Sequence, residues 1–488
     1  MRVLDCIRIA VRPAFPAACL AALSTGCGPR AHMKVLINMI DQQEEFFREE
    51  VVPGFEEKSR TEIEVIGLES IDRIAPGLDS AGREVGLVKV PFGKSASLVR
   101  KGLIKPLDSF LTPEQLREFN DIYLLTSLGK TDGKYYYIPR KFETRIMVYR
   151  RSKVEEALGL WREMKDSIDR AVKKFNGYGL PATYLLEEDP NEWDFYDVFV
   201  AGWVWAHTTY DGGRVPRVAH RGKRYSGTSL RVIDRVFQCG GDSASVLSVQ
   251  GDPVVDALHW EAVYAAGGIY NERMWKEGWS GVGVWEGFKA GEVFLSFMTQ
   301  LDCFFIHGTG RDGLEGYLDN PEDMAVAVMP AGCSVELDGK GNVLRKGARS
   351  ITTGGWWWGI PAHTPDPLRS YRLARHITSA ENQLQGCTRF GMVPVRKDIL
   401  GDLSMMFGGG WITRVYEVSL RQLMHNGRTV VPSHPAFDEV SLLYLDMWYD
   451  IVVNRGWSPG GGAPDRSFIQ AMVDGLYRRK LKEIMASG

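Results

Sequence analysis

Lys34-Val35-Leu36-Ile37-Asn38-Met39-Ile40 is a short, mostly apolar run, and Thr61-Glu62-Ile63-Glu64-Val65-Ile66 alternates apolar with polar residues. The first reads as a buried strand, the second as a strand with one wet face. Between them Phe46, Phe47, Val51, Val52 and Phe55 recur at the three-to-four-residue spacing of one helix face. Strand, helix and strand in that order make a βαβ unit, and a βαβ unit requires a parallel sheet whose faces are covered by helices.

Outward from this unit the pattern continues. Val85–Val90 is another strand, broken by Pro91-Phe92-Gly93 and followed by a short helix from Ser95 to Lys101. A helix over Pro113–Phe119 follows. Gly133 turns the chain into a tyrosine-rich strand ending at Pro139, and Ile146–Tyr149 is a strand just beyond it. Residues 150–290 read as mostly helical, with glycine interruptions at Gly212-Gly213 and Gly240-Gly241. Phe288–Met298 is a helix end running into a strand, Met324–Pro330 is a further strand, and 332–347 is rich in turns. Helices are expected over Pro367–Thr378, Val415–Met424, Ser441–Val453 and Phe468–Ile484. With no repeat and no low-complexity linker, the pattern suits two α/β lobes that exchange chain more than once.

Gly354-Gly355-Trp356-Trp357-Trp358-Gly359-Ile360-Pro361 is the second apolar centre. In a strand, Trp356 and Trp358 share one face and Trp357 takes the other. Either all three indoles are core, in a strand buried on both faces, or one stands at the lip of a cleft as a ligand platform.

The 488 residues are 44% apolar and 25% charged, ordinary globular values that suggest more than one core. A formal charge of −2 lacks the basic footprint that nucleic acid demands. Seven cysteines, Cys6, Cys19, Cys27, Cys239, Cys303, Cys333 and Cys387, form no CxxC pair; whether any of the last four join is open. Arg2, Arg8 and Arg12, the apolar run from Ala14 to Leu23 and the small residues before Cys27 describe a secretory signal over 1–27. Cys27 directly after Gly26 resembles the lipid-attachment cysteine of bacterial lipoproteins, although Ser24 stands where leucine is usual. The expected product is exported, periplasmic or at the cell surface, and held to the membrane by lipid if Cys27 is modified.

Motifs for chemistry are sparse. Gly93-Lys94-Ser95 ends like a phosphate loop, but Val88 occupies the position of its first glycine. Gly308-Thr309-Gly310-Arg311-Asp312-Gly313 fits GxGxxG, but Pro321 leaves no room for the helix that would hold a pyrophosphate. No HExxH, EF-hand loop or GxSxG occurs, so neither cofactor nor metal is expected. Glu187-Glu188-Asp189 and Glu192/Asp194 read as a solvated loop before they read as a glycosidase pair.

From about Lys34 to Leu400 the chain resembles the extracellular solute-binding proteins of bacterial ABC transporters, in the sugar-binding branch that includes maltose-binding protein. The opening strand–helix–strand carries the resemblance, together with Gly102-Leu-Ile-Lys-Pro-Leu-Asp108, Gly133-Lys-Tyr-Tyr-Tyr-Ile-Pro139, Phe288–Met298, Gly354-Gly355-Trp356 and Val393-Pro-Val-Arg-Lys397, all in order. Arg150 departs from it, standing after Tyr149 where that family often has asparagine. The resemblance implies a two-lobe fold of the type II periplasmic-binding class, each lobe a mostly parallel sheet flanked by helices. Its first lobe would hold 34–143 plus 309–390, and its second 144–308 plus 391–488. It also implies capture of a sugar by hinge closure, a permease partner, a monomer and no catalysis. Carried over by position, ligand contacts are expected from Gln42, Gln43, Phe92, Glu143, Trp203, Trp205, Thr299, Gln300, Asp302 and Trp356. Two alternatives stay open: a secreted carbohydrate-active enzyme, and a sensory binding subunit for a receptor.

Overall fold

The computed structural model describes residues 30–80, 82–208, 215–310, 314–400, 407–424, 434 and 436–487. The expected signal and Cys27 lie outside them, as do Gly212-Gly213 and part of the GxGxxG segment.

The opening reading holds. β1 (Ala31–Ile37) and β2 (Thr61–Gly67) pair in parallel, Ala31 against Thr61 through Ile37 against Gly67. β1 stops three residues before the apolar run does, because the Asn38 side chain turns to donate to the Leu68 carbonyl at 2.8 Å and a helix begins at Asp41. β3 (Val85–Pro91) runs parallel on the other side of β1. A small hairpin, β4 (Lys130–Thr131) and β5 (Lys134–Tyr135), turns through Asp132-Gly133, both at positive φ as such a tight turn demands. β6 (Tyr137–Glu143) then returns to the first sheet and β7 (Arg145–Arg150) opens the second.

Further strands are β8 (Arg217–Ala219), β9 (Val293–Thr299), β10 (Met324–Ala327) and β11 (Gly354–Gly359). The first sheet has the order β2-β1-β3-β11-β6 and the second β10-β7-β9-β8. β11 is antiparallel to both its neighbours, and β7 is antiparallel to β9 and β10. Each sheet therefore contains one reversed strand, and the remaining strands share a direction.

The lobe boundaries expected at 309 and 391 need correcting. β10 pairs with β7, and Arg150 fixes the start of that pairing through Asp323 at 2.8 Å. The turn-rich stretch after β10 binds the helix Ser226–Gln238, Gln238 donating to the Pro330 carbonyl and Ala348 donating to that of Gln238, both at 2.7 Å. Residues 314–350 thus belong with the second sheet. Conversely, Val393 bridges to Phe142 and the Val395 carbonyl accepts from Leu124, so 393–395 belong with the first.

The chain crosses between sheets at Thr144, at 351–353 and again beyond Ile399. Two buried side chains fasten these crossings on the second-sheet side. Asp234 accepts from Arg145 at 2.7 Å and from the Thr352 backbone and hydroxyl at 2.8 and 2.6 Å. Gln300 accepts from the Thr144 amide and donates to the Gly391 carbonyl, each at 3.1 Å.

β11 is covered on both faces. Trp358 is fully buried and stacks on Phe47. Trp357 is 1% exposed and lies between Phe92, stacked 4.1 Å away and nearly parallel, and Tyr137. Trp356 remains partly exposed. Gly355 before it has φ 150°, and a Cβ there would stand 2.5 Å from the Lys141 carbonyl oxygen and 2.9 Å from the Phe92 ring. Gly355→Ala is therefore expected to cost about 1–3 kcal/mol, as overpacked sites do, read as a lower midpoint in urea unfolding.

The first helix of the C-terminal segment, Phe437–Trp448, packs on Ser226–Gln238, where Ser441 and Ser229 share a 2.6 Å hydrogen bond. Cys239, Cys303, Cys333 and Cys387 are all free and buried. Among the described residues, no helix is long and apolar enough to cross a membrane, and no group of three or more side chains could hold a metal.

Candidate ligand cleft

A cavity of about 460 Å³ lies between the two sheets. Its walls follow from topology. Asn38, Glu69 and Phe92 come just after the ends of β1, β2 and β3, and Glu143 and Thr299 are the last residues of β6 and β9. Trp356 and Arg145 come from the starts of the reversed strands β11 and β7. The cavity thus sits outside the carboxyl ends of the co-directional strands, where open α/β sheets bind ligands.

On the first-sheet side the partly exposed Trp356 ring has the Lys89 ammonium 3.3 Å from its centroid. Lys89 is buried and donates to the Asn38 carbonyl. Burial, reinforced by the neighbouring cations Arg140 and Lys141, pulls its pKa well below the usual lysine range. The Trp356 indole N–H donates to Glu143 Oε1 at 3.2 Å, and Lys141 meets the same oxygen at 2.5 Å. Burial pushes the Glu143 carboxyl up, but Lys141, Lys89 and Arg221 outweigh it and hold it at about 2.

On the second-sheet side Arg221 follows β8 and is gripped by both oxygens of buried Asp302, at 3.1 and 3.0 Å. Burial opposes that charge, yet Asp302 keeps the guanidinium above its ordinary pKa. Asp302 also closes a capping box with Thr299 and accepts from the Trp285 indole at 3.0 Å. Tyr225 and Leu230 continue this wall, and the C-terminal helix adds Phe437, Asp438 and Ser441. Lys94 of the first side meets Asp438 at 2.6 Å while also touching Asp72 at 3.1 Å. An ion pair therefore spans the cleft mouth, and the two sides stand close together.

The residues expected from sequence separate into three groups. Phe92, Glu143, Thr299 and Trp356 line the cavity. Gln42 lines a different groove between the sheets. The other five lie elsewhere. Gln43 is buried behind the first sheet, where it shares a cavity of about 20 Å³ with Arg140. Trp203 stacks on Phe199 and His207 on its own helix, and Trp205 is fully buried with its indole donating to the Lys153 carbonyl. That helix, Phe195–His207, is apolar nearly all round and packs as core, not as a cleft face. Gln300 fastens the crossings, and Asp302 acts behind the wall through Arg221.

Sequence reasoning missed Arg221, Arg145, Lys94, Tyr225 and the three residues of the C-terminal helix. The three-residue β8 left no readable period, and without it Arg221 could not be placed at a strand end.

Comparison with known proteins accords with this architecture. Residues 54–404 match the family model described as bacterial extracellular solute-binding protein. Among solved structures, a maltose-bound T. maritima MalE3 superposes with a TM-score of 0.65 at 14% identity, covering 93% of this chain and 100% of its own. A Thermotoga lettingae TMO ABC-transporter solute-binding protein bound with α-D-tagatose gives 0.63 at 14% identity over 93% and 100%. The cyclic α-maltosyl-1,6-maltose binding protein of Arthrobacter globiformis gives 0.64 at 12% over 94% and 100%. No curated protein matches the sequence significantly. The family match spans well over half of the 488 residues, and the chain belongs to the bacterial extracellular solute-binding proteins.

Proposed function

We propose that this protein captures a sugar between its two lobes by hinge closure and delivers it, unaltered, to an ABC-transporter permease. The observation that carries the reading is the Trp356 plate, fixed at its edge by ionised Glu143, in a cavity faced by Arg221 from the other lobe. A sugar offers an apolar ring face and a rim of hydroxyls, and a plate with oriented charged hydrogen-bonding groups complements both. The solved neighbours described as bound with maltose or tagatose support the same ligand class. Ligand contacts with both lobes would favour the closed form, and only that differential affinity can drive closure. In this reading the protein acts as an exported monomer, anchored by lipid at Cys27.

Catalysis fits the cleft less well. Glycoside hydrolysis needs a carboxyl whose pKa is raised so that it can donate a proton near neutrality. Glu143 is held at about 2, and Asp438 is tied to Lys94.

Isothermal titration against a carbohydrate panel, with the ligand recovered and weighed afterwards, tests the reading. Trp356→Ala is expected to weaken binding about tenfold, equivalent to about 1.4 kcal/mol, with a modest loss of stability. A turned-over ligand, or undiminished affinity in Trp356→Ala, would sink the proposal. A depressed carboxyl keeps its charge above its folded pKa and loses it only as pH falls through that value. Glu143 therefore stays ionised, and its own titration should contribute no change in affinity between roughly pH 5 and 8.

A further inference from the structure

The ion pair at the cleft mouth joins groups of different lobes. Lys94 stands in the first turn of the helix Phe92–Arg100, which follows β3 in the first lobe. Asp438 stands in the first turn of Phe437–Trp448. That helix is held on the second lobe by the Ser441–Ser229 bond, by Tyr444 donating to the Val246 carbonyl at 3.1 Å and by the Trp448 indole donating to Glu261 at 2.9 Å. The Lys94 ammonium meets Asp438 Oδ2 at 2.6 Å and Asp72 Oδ1 at 3.1 Å. Asp72 lies in the short turn Ile71–Arg73 after β2, on the same lobe as Lys94. The other ion pairs at the cleft, Lys141 with Glu143, Arg145 with Asp234 and Arg221 with Asp302, each stay within one lobe.

The three charges respond differently when the lobes part. The Lys94–Asp438 attraction is lost, whereas Asp72 moves with Lys94 and keeps it. In the closed form both carboxylates touch one nitrogen, so they stand close together and repel. In the open form that repulsion is gone, and Asp438 remains at a helix N-terminus, where a negative charge is favoured. A cation in the first turn of a helix is at the wrong end of the dipole, so Lys94 needs a carboxylate in either form, and Asp72 supplies it in the open one. The Lys94 and Asp438 side chains are 26% and 35% exposed, against 74% for Asp72, so solvent screens the inter-lobe contact less than its rival.

We infer that Lys94 is an inter-lobe latch shared between two carboxylates, Asp438 favouring the closed form and Asp72 the open one, so that together they set how often the lobes close. The inference rests on the hinge-closure reading above but not on the ligand being a sugar. Only interactions that differ between the two forms shift their equilibrium. The attraction of Lys94 to Asp438 and the repulsion of Asp72 from Asp438 are both confined to the closed form, and they act in opposite directions.

Single-molecule energy transfer on the ligand-free protein tests the latch. Dyes on non-natural residues in place of Lys58 and Lys174, both exposed and on different lobes, resolve the open-to-closed ratio. Asp438→Asn should raise that ratio and Asp72→Asn should lower it, each about two- to fivefold, as a partly screened ion pair allows. Lys94→Met should raise it further, because it leaves the two acids facing each other with no cation between them. In the Lys94→Met background Asp438→Asn should reverse its sign and lower the ratio, since it then removes repulsion alone; a packing role would not reverse. All four shifts should shrink in 1 M salt, where screening acts within about 3 Å. Two states whose ratio no variant changes overturn the latch and leave hinge closure standing, as does Asp438→Asn acting with one sign in both backgrounds or Asp72→Asn opening the protein. A single state shared by the wild type and every variant overturns the hinge-closure reading itself, and the latch with it.

Discussion

Trp358→Ala lowers the free energy of unfolding by about 3–5 kcal/mol, the range for truncating a fully buried large aromatic side chain. Trp358 has no solvent exposure and lies in a strand with neighbours on both sides. Its ring stacks on Phe47, part of the helical segment that crosses from β1 to β2, so the indole joins an interior strand of the first sheet to the layer covering it. Truncation leaves a cavity that the flanking strands cannot close without breaking their registers with Lys89 and Ile138. Trp356→Ala, two residues away on the same face, removes a partly exposed ring and should cost far less stability. Urea unfolding of both variants, set beside their ligand affinities, checks the contrast. Equal stability losses with unchanged affinity would make the whole tryptophan run a packing feature.

Glu261→Ala should be as damaging, at about 3–5 kcal/mol, because it strands two buried cations. Glu261 has no exposure and takes Arg231 with both oxygens at 2.7 and 2.6 Å. It also accepts from Arg235 at 3.1 Å, Tyr270 at 2.7 Å and Trp448 at 2.9 Å. These donors come from three separate elements, so the carboxylate joins Ser226–Gln238, the start of the segment after Asp252–Ala266, and the C-terminal helix. Burial raises its pKa, but Arg231, Arg235 and His220 outweigh that and hold it below the usual carboxylate range. A lowered folded pKa gives stability that is present above the unfolded value, about 4.3, and is lost as pH falls below it. The wild type should therefore lose stability on acidification below about pH 4, and Glu261→Gln should flatten part of that slope. An acid denaturation profile identical in both would contradict this account.

Much of the architecture was legible because it rests on period and order. Lys34–Ile66 announced a parallel unit, and the pairing of β1 with β2 follows from it. The lobe boundaries were not legible, since β10 is apolar enough for either sheet and only its pairing with β7 decides. The cleft was half legible. Phe92 and Trp356 could be placed because they sit at clear strand ends. Gln42 and Gln43 are adjacent, yet one turns toward a groove and the other into the core, a difference of about 100° around the helix that no pattern of two residues reveals. Trp203 and Trp205 belong to a helix apolar on nearly every side, which leaves no wet face from which to infer a direction.

The place of β11 has a consequence for how such a chain leaves the cell. It fills the gap between β3 and β6, but its residues are made roughly 200 positions after β6. At about 5–20 residues per second, synthesis takes on the order of 10–40 s to supply it. During that interval β6 has no partner, and β7 likewise waits for β9 and β10. The β1–β3 unit can pair early, but neither sheet is complete until these late strands have been made. The topology that shapes the cleft thereby also delays completion of the fold, and an incompletely folded chain is the kind a secretory channel can thread.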